Sequence, residues 1–181
     1  MPPATCFRKT TCESVVAKSR ATVYWDTCLF FALIKDEKRA DPNEMPGLYA
    51  VASEIDNGLI NMVTSAVTLG ELDTLKPEWL ERLRKFLNRS NVDVVPLAPH
   101  MGERSGQLRA HYRALGKPYL CREDSYHLAT SIALNVAAFH TFDERDKKGC
   151  RGLLGLNGNV AGFPLRIMKP VGSQGQAVLT L

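Results

Sequence analysis

Apolar residues in this chain occur as short, nearly continuous runs, separated by longer stretches in which they recur every three or four positions. The runs suit strands buried on both faces, and the longer stretches suit amphipathic helices that cover them. Residues 21–25 are β-branched and aromatic and predict a first strand, followed by a mostly apolar helix over 27–35. A charged break follows. Asp41 then reads as a helix cap, with Pro42 at the first helical position and Glu44 as capping-box partner. Leu48, Val51, Ala52 and Ile55 share one face of that helix, which ends near Asn57-Gly58. Residues 59–65 predict a second strand. Glu71 opens the next helical region, and Pro77 restarts it with Leu80, Leu83 and Leu87 on one stripe. Strand three falls at 92–96, a polar and basic helix runs from Pro99 to about Leu115, and a small-residue helix covers 124–135. Strand four falls at 137–142, a glycine-rich loop at 149–162 and strand five at 164–168. Strands alternating with helices predict an α/β fold with a central parallel sheet of about five strands.

Residues 1–20 show no period and read as an extension; 21–181 form a single domain. The composition, 45% hydrophobic and 23% charged, is ordinary for a globular chain. No apolar run is long enough to span a bilayer, and the basic N-terminus lacks the apolar core of a secretory signal. The net charge of +4 owes much to Arg8, Lys9, Lys18 and Arg20, which face only Glu13. Such an arm suits either a nucleic-acid contact or a solvated terminus. The five cysteines are scattered, with no CxxC pair, and are expected to be reduced thiols in a cytoplasmic protein.

Candidate chemistry lies in four carboxylates placed where strands should end and helices begin: Asp26, Glu71, Asp124 and Asp143. In an open parallel sheet the carboxyl ends of the strands line the ligand crevice. Carboxylates converging there repel one another unless a cation is shared. Oxygen donors alone suit Mg²⁺ or Mn²⁺, as one ion or two, rather than zinc. Each position also has a structural reading. Asp26 and Asp124 are natural helix caps, Asp143 sits in a turn, and Thr68-x-x-Glu71 is a capping box. Their recurrence at successive junctions favours a shared acidic site and metal-dependent phosphoryl transfer on nucleic acid.

The ordered set Asp26-Thr27-Cys28-Leu29-Phe30, Ser65 to Glu71-Leu72, Asp124-Ser125-Tyr126-His127-Leu128-Ala129-Thr130 and Thr141-Phe142-Asp143 resembles the PIN-domain nucleases, most closely toxin ribonucleases of the VapC type. The resemblance covers about residues 21–169. It implies a three-layer α/β/α fold and a Mg²⁺- or Mn²⁺-dependent endoribonuclease, with water attack leaving 5′-phosphate and 3′-hydroxyl ends. It places Asp26, Glu71, Asp124 and Asp143 on the metal-binding positions, Thr27 on a hydroxyl position beside them, and Asp146 as an extra acidic neighbour. Ser125 stands where the family often has Ala. The implied partners are an RNA substrate, a cognate antitoxin and a second copy in a homodimer, for which the stripe at 79–87 is a candidate face. A PIN nuclease of RNA maturation and a non-catalytic RNA- or protein-binding scaffold are the competing readings.

Other residues carry less. His127 lies one helical turn after Asp124, where it either faces the site or makes local hydrogen bonds. Arg104, Arg109 and Arg113, and likewise Arg82, Lys85 and Arg89, form basic rows suited to an RNA backbone or to a solvated face. Tyr112, Tyr119 and Tyr126 are candidate stacking partners for bases, or packing residues. No Walker-type loop and no GxSxG elbow appears.

Overall fold

In the computed structural model, which describes residues 20–147 and 149–172, five strands pair in parallel. They are β1 (Thr22–Trp25), β2 (Asn61–Ser65), β3 (Val92–Val95), β4 (Ala138–His140) and β5 (Ile167–Met168). Their order across the sheet is β3-β2-β1-β4-β5. The chain thus builds one side of β1 and then crosses to the other, which puts a topological switch point between β1 and β4. The helices are α1 (Thr27–Lys35), α2 (Glu44–Asp56), α3 (Ala66–Glu71), α4 (Pro77–Leu87), α5 (Pro99–Ala114) and α6 (Arg122–Ala133), with a 3-10 turn at Leu153–Leu156. Apart from Arg20, the N-terminal extension lies outside the described residues.

The alternation of side chains along β1 sets the layers. Val23 and Trp25 point into one core with Leu29 and Phe30 of α1, Leu48 and Ile55 of α2, and Leu83 and Phe86 of α4. Trp25 stacks on Phe86 with ring centroids 5.3 Å apart and meets Phe30 edge-on at 5.6 Å. Tyr24 points the other way, into a second core with Leu108 and Tyr112 of α5, Leu128 of α6 and Phe139 of β4. Each fully buried large apolar side chain contributes about 1.5–3 kcal/mol relative to exposure. The result is the three-layer α/β/α architecture expected from the sequence.

Several local expectations change once the elements dock. Helix α2 begins at Glu44 rather than Pro42. Asp41 instead accepts the Asn43 N–H in the preceding turn, and Glu44 pairs with Arg39 (2.7 Å) and Lys169 (2.9 Å), so no capping box forms. The stripe at 79–87 turns inward: Leu83 and Phe86 are buried, and Trp79, Leu80 and Leu87 pack against the same core. Much of the stripe thus packs against this chain's own interior, with Trp79, Leu80 and Leu87 partly buried. The basic row on α4 is also engaged locally. Arg82 donates to the Ile34 carbonyl, Lys85 pairs with Glu81 and Arg89 with Asp56.

The cysteines need a firmer correction. Cys121 and Cys150 are joined by a disulfide with their Cα atoms 5.6 Å apart, and Cys28 is free. Cys6 and Cys12 lie outside the described residues. Spacing could not reveal the bond, because the two cysteines are 29 positions apart and meet only when the loop after β4 folds back on the α5–α6 connection. Among the described residues no helix is long and apolar enough to cross a membrane. Replacing both Cys121 and Cys150 by Ser is expected to lower stability by about 2–4 kcal/mol in denaturant titrations. Mass spectrometry of the non-reduced protein should find their peptides linked.

Candidate active site

Asp26 follows β1 directly and caps α1, its Oδ1 accepting the Thr27 N–H at 2.7 Å. Its other oxygen accepts the Thr141 hydroxyl at 2.6 Å and the Cys28 thiol at 3.1 Å. The cap reading and the site reading therefore hold together, since one oxygen serves each. Glu71 behaves differently from its capping-box expectation. Helix α3 starts earlier, capped by Ser65, whose Oγ accepts the Val67 N–H at 3.1 Å, and Glu71 is the last residue of α3. Its carboxylate turns away from its own helix. Oε2 accepts the Thr27 hydroxyl at 2.5 Å and lies 2.8 Å from His127 Nε2.

His127 is fully buried and bridges two layers. Its Nδ1 lies 2.7 Å from the Tyr24 hydroxyl, which in turn accepts the Ser65 N–H at 3.0 Å. Burial pushes the Tyr24 phenol up, so it stays protonated. The ring nitrogen facing the Glu71 carboxylate carries a proton, since a carboxylate only accepts. Of the two readings open for His127, the structure shows the hydrogen-bonding one: it holds Glu71 and Tyr24 from behind and does not join the lining of the cavity that the four carboxylates share. Tyr24 and Thr141 belong to the same support; Tyr24 was not singled out from sequence, and Thr141 entered only within the Thr141-Phe142-Asp143 motif, with no role of its own. The only signal for Tyr24 was a polar tip on an otherwise apolar strand.

Asp124 is the third residue of α6, whose cap position is Cys121. Because α6 follows α5, Asp124 does not sit at a strand-to-helix junction. Asp143 lies three residues beyond β4, its N–H donating to Thr141 Oγ1 at 3.0 Å and its Oδ2 accepting the Leu153 N–H at 3.3 Å. A methyl group at Gly152 would stand 2.8 Å from the Glu144 backbone, so glycine there lets the loop after Asp143 close over the 3-10 turn. Despite these different origins, all four carboxylates line one open cavity of about 340 Å³, together with Thr27, Arg39 and Lys147. Asp146 is not part of its lining; its carboxylate accepts the Gly152 N–H at 2.9 Å.

The electrostatics record the crowding. Burial first, then the charges of Asp26 and Asp143, push the Asp124 carboxyl up to about 7, with His127 pulling back and Glu71 adding to the rise. Burial also raises Asp143, although Lys147 and the Leu153 N–H oppose it. For Glu71 burial is outweighed by the hydrogen bonds from His127 and Thr27, and its pKa is lowered. Burial alone would lower His127, but Glu71 and the nearby carboxylates more than offset it, and its pKa is raised. Among the described residues no group of three or more His, Cys, Asp or Glu side chains is arranged to hold a metal ion directly. The donor set nonetheless fits a hard divalent cation. Its donors are oxygen atoms, they share one cavity, and a cation would favour the ionised Asp124 that burial and then the charges of Asp26 and Asp143 oppose. Mg²⁺ retains several of its waters, so carboxylates need not close a complete cage around it.

The basic row divides. Arg104 stacks its guanidinium over Phe163 at 3.9 Å, whereas Arg109 and Arg113 open on a separate cavity beside the start of α6. Tyr112 is buried, its hydroxyl accepting the Ala161 N–H at 3.2 Å; Tyr126 is partly buried on α6, and Tyr119 is exposed.

A model of the PIN domain matches residues 23–150. Among solved structures the chain is similar to VapBC2 from Rickettsia felis bound to a DNA fragment from their promoter, at a TM-score of 0.56 and 16% identity, covering 81% of this chain and 98% of that one. It is also similar to DNA-bound VapBC from Salmonella typhimurium (TM-score 0.52, 18% identity, 81% and 96% covered). FitAcB from Neisseria gonorrhoeae gives a TM-score of 0.50 at 18% identity, with 82% and 97% covered. At these identities the likeness is one of fold. No curated protein sequence matches the chain.

Two outcomes follow from the charge arrangement. The folded state holds the Asp124 proton more tightly than the unfolded chain does, so that contribution is full below about pH 4 and lost as pH rises through about 7. Asp124→Asn should therefore stabilise the metal-free protein at pH 8 by about 1–3 kcal/mol and flatten its melting temperature between pH 5 and 8, measured by thermal melts in chelator. His127→Ala leaves Glu71 and Tyr24 without their shared partner and opens a void. It should cost about 2–4 kcal/mol in denaturant titrations.

Proposed function

The chain belongs to the PIN domain family, and from that premise we propose that it is a metal-dependent endoribonuclease and the toxin of a type II toxin–antitoxin pair. The observation that carries the reading is the single cavity lined by Asp26, Glu71, Asp124 and Asp143 beyond the carboxyl ends of the central strands. A purely structural use of four caps would not gather them around one opening, where the Asp124 carboxyl is driven to about 7.

In this reading the four carboxylates hold Mg²⁺ or Mn²⁺. When bound, the ion lowers the pKa of a coordinated water and neutralises charge on the scissile phosphate. The protein's own part is positional. Thr27 and Thr141 fix both oxygens of Asp26, and His127 with Thr27 occupies Oε2 of Glu71 and leaves Oε1 for the cavity. Carboxylates held by such donors are already oriented before substrate arrives, which removes an ordering cost from the reaction. Arg39 and Lys147 bring positive charge to the same opening, with Lys147 Nζ 3.8 Å from Asp143. There they would meet the incoming phosphate. Asp143, whose carboxyl is pushed up by burial, lines the cavity where it would orient the attacking water. The likeness to VapBC assemblies supports a cognate antitoxin as protein partner, and a homodimer as the assembled state is part of the same proposal.

The test is incubation of the purified protein with total RNA in Mg²⁺ or Mn²⁺. Discrete cleavage is expected, abolished by chelator and slowed about a hundredfold or more in Asp26→Asn. A folded, antitoxin-free protein that cleaves nothing in either metal would move the assignment to a binding scaffold.

A further inference from the structure

A second cavity, of about 510 Å³, opens between the end of α5 and the start of α6. Its lining includes Arg109, Arg113, Lys117 and Arg122, with Tyr119 among them, and no carboxylate. Among the described residues none of these four cations enters an ion pair or a ring contact. Among the described residues Lys85, Arg89 and Lys169 each have a carboxylate partner, while Lys38, Arg84 and Arg166 stand without one; what sets these four apart is that they line one hollow that holds no carboxylate.

Fold stability does not account for this grouping. Arg113, in the last turn of α5, complements the helix dipole there. Arg122 does the reverse, since it is the first residue of α6, where the dipole disfavours a cation. Lys117 and Arg109 add like charge around the same hollow. The walls are also held in place. Tyr119 N–H donates to the Gly149 carbonyl and Arg151 N–H to the Tyr119 carbonyl, both at 2.8 Å, and the Cys121–Cys150 disulfide ties the same two segments. Arg151 donates to the Pro118 carbonyl at 3.3 Å from behind. Four uncompensated cations around a pinned hollow are suited to an anion. Tyr119, 41% exposed, offers a flat face beside them.

We propose that this cavity is a second substrate subsite, which takes a phosphodiester of single-stranded RNA on its cations and stacks the attached base on Tyr119. The inference rests on the nuclease reading above and extends it. RNA is favoured over an acidic protein segment by two features. The hollow pairs cations with an aromatic face, the combination that holds single-stranded nucleic acid. It also shares the first turn of α6 with the acidic cavity: Arg122 lines the one and Asp124 the other. A strand with its scissile phosphate at the carboxylates would continue past the first turn of α6 to these cations, and the subsite would set KM and the minimum length of substrate.

The experiment uses the full chain carrying Asp26→Asn, so that bound RNA is not cut, and a fluorescein-labelled single-stranded RNA followed by anisotropy over a range of NaCl. Arg113→Ala/Lys117→Ala is compared with Arg84→Ala/Lys85→Ala, which removes the same charge from α4. The first pair should weaken binding about tenfold or more and reduce the slope of log K against log salt by about 1–1.5, and the control pair should change neither appreciably. Tyr119→Ala should weaken binding roughly five- to a hundredfold with the slope kept. Restoring charge with Arg113→Lys should restore the slope. In the cleaving background, the cavity variants should raise KM and leave kcat within about threefold. RNA that is bound and cut with unchanged Kd, slope and KM overturns the subsite and leaves the nuclease reading intact. A native protein that neither binds nor cuts RNA overturns both. Loss of binding to an acidic peptide such as polyglutamate, with RNA binding unaffected, overturns the RNA subsite in favour of a protein contact.

Discussion

Like-charge repulsion among Asp26, Glu71, Asp124 and Asp143 is the constraint around which the rest of this molecule is arranged. Carboxylates sharing a partly buried cavity interact through a medium less polarisable than water, and at Asp124 burial first, then the charges of Asp26 and Asp143, raise the cost of ionisation. Three of the four are offset from within. Asp26 has Thr27, Thr141 and Cys28 as donors, Glu71 has Thr27 and His127, and Asp143 has the Leu153 N–H with Lys147 close by. The Asp124 carboxylate accepts no hydrogen bond among the described residues, and it is pushed up to about 7. The uncompensated charge is thus concentrated at one place rather than spread, which leaves one face of the cavity needing a cation.

The donors that make this possible come from the central strand and both helical layers. Along β1, Val23 and Trp25 anchor the α1, α2 and α4 side, while Tyr24 reaches through the α6 side to His127 and to the Ser65 N–H. Tyr24 therefore links the end of β2 to the base of Glu71, with His127 as the intermediate. The support of Asp26 and Glu71 is built on strands and helices with buried side chains, whereas Asp143 is positioned by the loop after β4 and its contact with the Leu153 N–H. Thr141 does the same on the other side of β1, joining Asp26 to the Asp143 backbone.

Charge is sorted by place as well as by sign. Carboxylates gather where the strand order reverses, cations gather beside the start of α6, and the first turn of α6 divides the two cavities. A net charge of +4 conveys none of this, because many of the cations it counts are consumed in local pairs or lie in the leading segment.

The sequence by itself determined the element order, the parallel α/β sheet, the central run of β1 and α1, and the identities of the four carboxylates that line one cavity. Those features depend on hydrophobic period, turn residues and motifs, all of which act between near neighbours. Tertiary structure alone decided that Glu71 turns to His127 instead of capping its helix, and that Asp124 follows a helix instead of a strand. It likewise turned the stripe at 79–87 inward, brought Cys121 to Cys150, and left Arg109 and Arg113 open while Arg104 stacked on Phe163. The reason is one of range. A carboxylate, a thiol or a guanidinium has several local partners of similar worth, and the choice among them is made by which distant surface packs against it once the layers close.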